Sequence, residues 1–167
     1  IWLNNGDGTF TDNGQDIVGG NGQAVALGDI DGDGDLDVLL GQYGGSNQLL
    51  INDGAGIFAP SSEYIGTSES TWDVALGDLD GDGDLDLAVG HFYGRNEVYL
   101  NNGTALATTP AWTSSNSQGT VSVAWGDVDG DGDLDLAVGN NGQNNDVYLN
   151  NGTALATTPA WTSSNSQ

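Results

Sequence analysis

Apolar and polar residues alternate over short stretches of this chain, and each stretch ends at glycines or an asparagine pair. Val121 to Trp125 reads V-S-V-A-W, Leu134 to Val138 reads L-D-L-A-V, and Asp146 to Asn150 reads D-V-Y-L-N. A two-residue period predicts β-strands, and no stretch carries a 3.6-residue apolar rhythm long enough for a helix. Leu134 to Val138 is apolar enough to be buried on both faces. In the third stretch Val147 and Leu149 share one face and Tyr148 takes the other. A weaker fourth strand is expected around Ala111 to Ser114 and around Ala160 to Ser163. Asn-Gly, Asp-Gly and Gly-Gly pairs supply tight turns between strands, and 28 glycines suit that density of turns.

The pattern repeats. Ile1-Trp2-Leu3-Asn4-Asn5-Gly6 is echoed by Leu50-Ile51-Asn52-Asp53-Gly54, by Val98 to Gly103 and by Val147 to Gly152. Leu100 to Gln118 and Leu149 to Gln167 match letter for letter, which points to a recent duplication or a repeat array. With the four strands of a unit lettered A to D, the chain reads C-D, then A-B-C-D three times. The opening half-unit is Trp2 to Asn4 with Thr9 to Asp12. The expected divisions are a half-blade at 1–22 and full blades at 23–70, 71–119 and 120–167. Repeats of this length with several short strands predict an all-β chain of tandem four-stranded antiparallel blades of β-propeller type. About three and a half blades are expected, as an open array or as part of a propeller.

Between strands A and B lies an acidic loop. Gly126 to Gly139 reads G-D-V-D-G-D-G-D-L-D-L-A-V-G, with Asp127, Asp129, Asp131, Asp133 and Asp135 at every second position. Asp29, Asp31, Asp33, Asp35 and Asp37 repeat the spacing, as do Asp78, Asp80, Asp82, Asp84 and Asp86. The loops start at 29, 78 and 127, a constant interval of 49. Five like charges in nine residues repel unless a cation sits among them. Oxygen-only ligands favour a hard cation, and Ca²⁺ accepts six to eight oxygens in flexible geometry. Positions 1, 3, 5 and 9 offer carboxylates, and position 7 is expected to offer its backbone carbonyl. The opening D-x-D-x-D-G is that of an EF-hand loop, but the Glu at position 12 and the flanking helices are missing. The expectation is three Ca²⁺ per chain, with Mg²⁺ competing poorly because it prefers fewer ligands in stricter geometry.

Charge sharpens this reading. Lys plus Arg total 1 against 24 Asp plus Glu, for a net charge of −23, and fifteen of the acids sit in the loops. Three Ca²⁺ carry six positive charges and would bring −23 to −17. So acidic a chain is not expected to track nucleic acid or to lie directly on an anionic membrane. No apolar run approaches a membrane span, so direct insertion is not expected either. Zero cysteines fit an exported protein. Calcium sites of modest affinity belong to calcium-rich compartments, so an extracellular or cell-surface location is expected. The Ile1-Trp2-Leu3 start lacks a basic or apolar leader, which is expected to have been removed or to lie upstream.

G-D-x-D-G-D-G-D-L-D-L-A-V-G followed by V-Y-L-N-N-G resembles the FG-GAP/VCBS repeat, which builds calcium-binding β-propellers of integrin α-subunits and bacterial surface proteins. The resemblance covers nearly the whole chain. It implies Ca²⁺ held by positions 1, 3, 5 and 9 and the carbonyl of position 7. It also implies ligand recognition on the opposite face, where the B–C loops are Gln42 to Asn47, His91 to Asn96 and Asn140 to Asn145. A complete propeller of the family has about seven blades, so the resemblance supports the blade and its calcium more than a closed ring.

Other residues admit two readings each. His91 and Arg95, the single histidine and the single cationic side chain, share one B–C loop. His91 could pair with Glu97 as an acid–base couple, but the matching places hold Gln42 and Asn140, so a polar turn is expected. With no Cys, no Lys and no catalytic triad pattern, enzymatic activity is not expected. Trp72, Trp112, Trp125 and Trp161 are expected to pack blades, leaving Phe92-Tyr93 as the best exposed recognition pair. Asn102-Gly103-Thr104 and Asn151-Gly152-Thr153 match the glycosylation sequon but are expected to be turns, and Thr108-Thr109-Pro110 is a weaker glycan candidate. Three functions remain open: a structural or adhesive calcium module that self-associates or belongs to a longer array or fibre, a propeller recognising glycans or proteins, and an appendage of a secreted hydrolase. Apolar blade faces left open at both ends favour head-to-tail self-association.

Overall fold

The computed structural model describes residues 1–17, 20–66 and 69–164, so residues 165–167 of the second identical tail lie outside the described residues. All its regular elements are strands. They are β1 (Trp2–Asn4), β2 (Phe10–Asp12), β3 (Gly22–Gly28), β4 (Asp37–Gln42), β5 (Asn47–Asn52), β6 (Phe58–Ile65) and β7 (Thr71–Gly77). There follow β8 (Asp86–His91), β9 (Arg95–Tyr99), β10 (Trp112–Ser117), β11 (Thr120–Gly126), β12 (Asp135–Asn140), β13 (Asp146–Tyr148) and β14 (Trp161–Thr162). β1 and β2 form a hairpin, and the rest fall into three antiparallel four-stranded sheets: β3 to β6, β7 to β10 and β11 to β14, each in chain order. These sheets are called blades 1, 2 and 3 below. The first strand of each blade carries the same register shift, between Gly22 and Ala24, Thr71 and Asp73, and Thr120 and Ser122. The shift is a bulge that re-aims one residue per blade.

Blades stack through their first strands, β7 packing on β3 and β11 on β7. The core therefore lies between blades. One cluster joins Ile30, Leu39, Leu49 and Ile65 of blade 1 to Val74, Leu87, Val89, Tyr99 and Leu106 of blade 2. The other joins Ala88, Val98 and Trp112 of blade 2 to Val123, Leu136, Val138, Tyr148 and Leu155 of blade 3. Blade 2 is covered on both sides, and its β8 is buried at every position, as a doubly covered apolar strand requires. Each large side chain sealed in these seams contributes roughly 1.5–3 kcal/mol. The hairpin β1–β2 stands beside blade 1, held there by Asn13 and Gln15. Asn13 Nδ2 donates to the Gly56 carbonyl at 2.9 Å, and Gln15 Oε1 accepts from Phe58 N–H at 2.9 Å.

Candidate metal centres

Each acidic loop connects the first two strands of a blade and is folded by its own backbone. Glycines at positions 4 and 6 adopt left-handed φ: 78° and 95° at Gly32 and Gly34, 78° and 96° at Gly81 and Gly83, 83° and 98° at Gly130 and Gly132. A side chain would be strained there. The resulting curl brings two N–H groups onto the position 1 carboxylate. Asp29 accepts from Gly32 at 2.9 Å and Gly34 at 3.0 Å, Asp78 from Gly81 at 2.8 Å and Gly83 at 3.0 Å, and Asp127 from Gly130 at 2.7 Å and Gly132 at 3.1 Å.

Carboxylate oxygens then converge. Asp29, Asp31 and Asp33 have oxygens within 4.8 Å of one another, as do Asp78, Asp80 and Asp86, and Asp127, Asp129 and Asp135. Positions 1 and 3 take part in every loop, position 5 in the first and position 9 in the other two. Asp82 and Asp131 at position 5 and Asp37 at position 9 stay outside these groups. Position 7 joins none, and its side chain lies over the Asn-Gly turn between the last two strands. A Cβ on Gly54 would run into Asp35 Oδ2, one on Gly103 would meet Asp84 Oδ2 at 2.8 Å, and one on Gly152 would meet Asp133 Oδ2 at 2.9 Å. That leaves the position 7 backbone carbonyl as its available donor.

The donor set is all oxygen, and no cationic side chain compensates it: among the described residues the one contact at salt-bridge distance, His91 Nε2 to Glu97 Oε2 at 3.3 Å, involves no loop carboxylate. A hard divalent cation fits such a set, whereas a thiolate- or imidazole-seeking metal does not. The crowding shows in the acidities. Asp31 is held above the usual carboxylate range by desolvation first, with the charges of Asp33, Asp37 and Asp29 adding to it. Asp84 is raised by desolvation and then by Asp82, Asp78 and Asp80, and Asp129 by desolvation and then by Asp131. Asp86 is raised by burial, against the pull of N–H groups from Asn101 and Leu79.

Position 9 has a second role that the ligand pattern did not reveal. Asp37, Asp86 and Asp135 are each fully buried. Asp86 accepts from Leu79 N–H in its own loop and from Asn101 N–H beyond β9, both at 2.8 Å. Asp37 does the same with Ile30 and Asn52, and Asp135 with Val128 and Asn150. The carboxylate thus clamps the loop to the third strand. The asparagine it clamps reaches onward: Asn101 Nδ2 donates to the Ile30 carbonyl in blade 1 at 2.8 Å, and Asn150 Nδ2 to the Leu79 carbonyl in blade 2 at 3.0 Å. The recurring N-N-G of the sequence was the available signal for these residues.

His91 is not a turn residue. It ends β8, its side chain is fully buried, and its Nε2 lies 3.3 Å from Glu97 Oε2. Tyr99 donates its hydroxyl to the same oxygen at 2.5 Å. Burial alone would raise Glu97, but the hydrogen bonds from His91 and Tyr99 outweigh it and hold it low. Tyr99 is pushed upward in turn, by burial first and then by Glu97. Sequence placed His91 in a polar turn because its counterparts are Gln42 and Asn140. The actual loops are shorter than expected, at 43–46, 92–94 and 141–145, because β4, β8 and β12 each run on to that position. Trp112 and Trp125 do pack blades: Trp112 meets Tyr148 edge-on at 5.1 Å, and Trp125 Nε1 donates to the Ala75 carbonyl of blade 2 at 3.2 Å. Both Asn-Gly sites are turns, with Asn102 and Asn151 side chains accepting from Thr104 and Thr153.

A family model described as FG-GAP-like repeat matches residues 1–40, 29–89 and 78–138. Successive matches overlap on the acidic loops at 29 and 78. No curated protein matches this chain closely enough to stand as a relative.

Proposed function

The chain belongs to the FG-GAP-like repeat family, and from that premise we propose that it is an extracellular structural module with an adhesive role, stiffened by one Ca²⁺ in each of its three acidic loops. The observation that carries this is the convergence of three uncompensated carboxylates at the same place in each full blade. In that role Asp29, Asp78 and Asp127 orient the loop and offer a remaining lone pair, since a carboxylate accepts more than the two N–H groups it already holds. Asp31, Asp80 and Asp129 are the least encumbered donors. Bound Ca²⁺ would supply the charge that lets the carboxylates stay ionised side by side. Asp37, Asp86 and Asp135 would then tie the filled loop to the third strand. An extracellular setting fits because such sites fill at the calcium concentrations found outside cells. No enzymatic role is proposed: the single histidine is buried, and its carboxylate partner is spent on it and on Tyr99.

Calcium titration and elemental analysis of dialysed protein test the reading. Three Ca²⁺ per chain are expected, and two after either Asp78→Asn or Asp80→Asn. Asp84→Asn should keep three, because position 7 would serve through its carbonyl. Fewer than two Ca²⁺ on the wild-type chain would overturn the proposal.

One observation favours a second reading, recognition of glycans. Trp72 stacks on Phe92 at 4.3 Å, and Phe92 meets Tyr93 edge-on at 4.4 Å. Tyr93 is 80% exposed, and the two rings of Phe92 and Tyr93 border a groove with Gln118, Asn141 and Gln143. Aromatic faces beside amides suit sugar rings. A glycan array on calcium-loaded protein should show binding that Tyr93→Ala removes; an array without hits would dismiss this reading and leave the first intact.

A further inference from the structure

An asparagine or aspartate followed by glycine is a reactive step, because the unhindered glycine nitrogen can attack the side-chain carbonyl carbon before it. Such steps recur throughout this chain, and most have that nitrogen engaged. The glycines of the acidic loops donate to the position 1 carboxylates. In the turns the N–H goes to the side chain two residues back. Gly6 donates to Asn4 at 2.9 Å, Gly14 to Asp12 at 3.0 Å, and Gly54, Gly103 and Gly152 to Asn52, Asn101 and Asn150, each at 3.2 Å. The asparagine side chains are fixed as well. Asn5 Oδ1 accepts from the Thr11 hydroxyl at 3.0 Å and Asn13 Oδ1 from Gln15 N–H at 2.9 Å. Asn102 and Asn151 accept from the Thr104 and Thr153 hydroxyls at 2.9 and 2.6 Å.

Asn141–Gly142 is built differently. Both residues are exposed, in the 141–145 connection between β12 and β13. Among the described residues neither the Gly142 N–H nor the Asn141 side chain has a hydrogen-bond partner. Gly142 has φ of 68°, and nothing lies within 4 Å of a Cβ placed on it. The exposure does not come from standing in the last blade: Tyr93, the equivalent of Gly142 in blade 2, is 80% exposed with blade 3 alongside. Two other steps lack a cap of the usual kind. Asn21–Gly22 is locked where β3 enters its ladder, with Gly22 opposite Gln42 and the Asn21 carbonyl accepting from Tyr43 N–H at 2.8 Å. At Asp7–Gly8 the carboxylate is held by the Thr9 N–H at 2.9 Å and the Thr9 hydroxyl at 2.6 Å, and an ionised carboxylate is a poorer electrophile than an amide.

We propose that Asn141 is a deamidation site of the folded protein. The Gly142 nitrogen attacks Asn141 Cγ, its proton passes through solvent to the leaving ammonia, and a five-membered succinimide closes. Water then opens the ring at either carbonyl, leaving aspartate or isoaspartate. One water enters and one ammonia leaves, so the step needs no oxidant and no cofactor, and a neutral amide becomes a carboxylate. The product sits on the join between blades 2 and 3. Asn141 N–H donates to the Gly119 carbonyl at 2.8 Å, and Gln143 Oε1 accepts from Gly119 N–H at 2.6 Å. Isoaspartate lengthens the backbone by a methylene at that join, and either product brings a negative charge to the groove beside Tyr93.

Mass spectrometry of chymotryptic peptides tests this, after the full chain has been incubated with calcium in mildly alkaline buffer. The spectra are read for exchange of NH by O and for isoaspartate. Asn102 and Asn151 lie in identical tails and are read together. Asn141 should convert about tenfold faster than Asn5, Asn13 or the Asn102 and Asn151 pair, because hydrogen bonds must open first at those steps. In denaturant the rates should converge, since the same Asn-Gly chemistry is then uncapped everywhere. Gly142→Ala places a methyl in open space beside the attacking nitrogen. It should slow conversion at Asn141 by about tenfold and leave the capped steps unchanged. Asn141 converting no faster than the capped steps in the folded chain, or leading by the same factor in denaturant, overturns the proposal.

Discussion

Removing calcium from the folded chain is expected to lower its Tm by roughly 15–30 °C. Each site occupied at about a hundredfold above its Kd adds roughly 2.7 kcal/mol, so three add roughly 8 kcal/mol, and a chain of this size shifts by about 2–4 °C per kcal/mol. That is comparable to the whole stability of an ordinary domain. Acid should erode the same increment. In the ion-free protein Asp31, Asp84, Asp86 and Asp129 are raised above their usual range, so they take up protons more readily folded than unfolded. Their contribution therefore favours folding below the ordinary Asp value and is lost as pH rises through the raised values. A bound dication reverses the sign by favouring the ionised form, so its stabilisation is full at neutral pH and falls as protons compete for the oxygens. Calorimetry at about pH 7 and about pH 4.5, with calcium or after chelation and desalting, should show the calcium-dependent gap in Tm narrowing in acid. An unchanged Tm after chelation at neutral pH would defeat the expectation.

Much of this fold could be read from periodicity because its strands are local and each unit repeats the last. The opening half-unit appears as β1 and β2 at nearly the expected residues, and the strand expected at Leu134 to Val138 appears as β12, shifted by one or two positions. What stayed hidden depends on contacts between units. Gly28 and Gly77 end their strands without left-handed φ; they are small so that Leu85 and Trp125 can approach from the next blade, which no local pattern announces. His91 read as a loop residue because its counterparts are amides, and only the neighbouring Glu97 and Tyr99 explain an imidazole in a buried place. In the loops, the carboxylate spacing was plain, but the clamp made by Asp86 was not, because its partner Asn101 lies 15 residues onward.

The same asparagine, placed in three different surroundings, gives a graded result. Asn101→Ala is expected to cost about 2–4 kcal/mol, since it leaves the buried Ile30 carbonyl without its donor and frees the turn N–H groups of Asn102 and Gly103. The Tm should fall by about 4–16 °C. Asn150→Ala should cost nearly as much, because Nδ2 crosses to Leu79 and Oδ1 holds Asn151 and Gly152 in the same way. Asn52→Ala should cost about 1 kcal/mol or less, since Asn52 Nδ2 reaches only the exposed Leu36 carbonyl of its own blade. The loss at Asn101 should also loosen blade 1 from blade 2, because stability in a stacked array is the sum of unit and neighbour contributions. Calorimetry of that variant should therefore show a broadened or divided transition, with blade 1 and its hairpin melting first, while the Asn52 variant keeps a single sharp one. Equal losses at all three positions would mean that the hydrogen bond between blades contributes nothing and that the turn alone accounts for the asparagine.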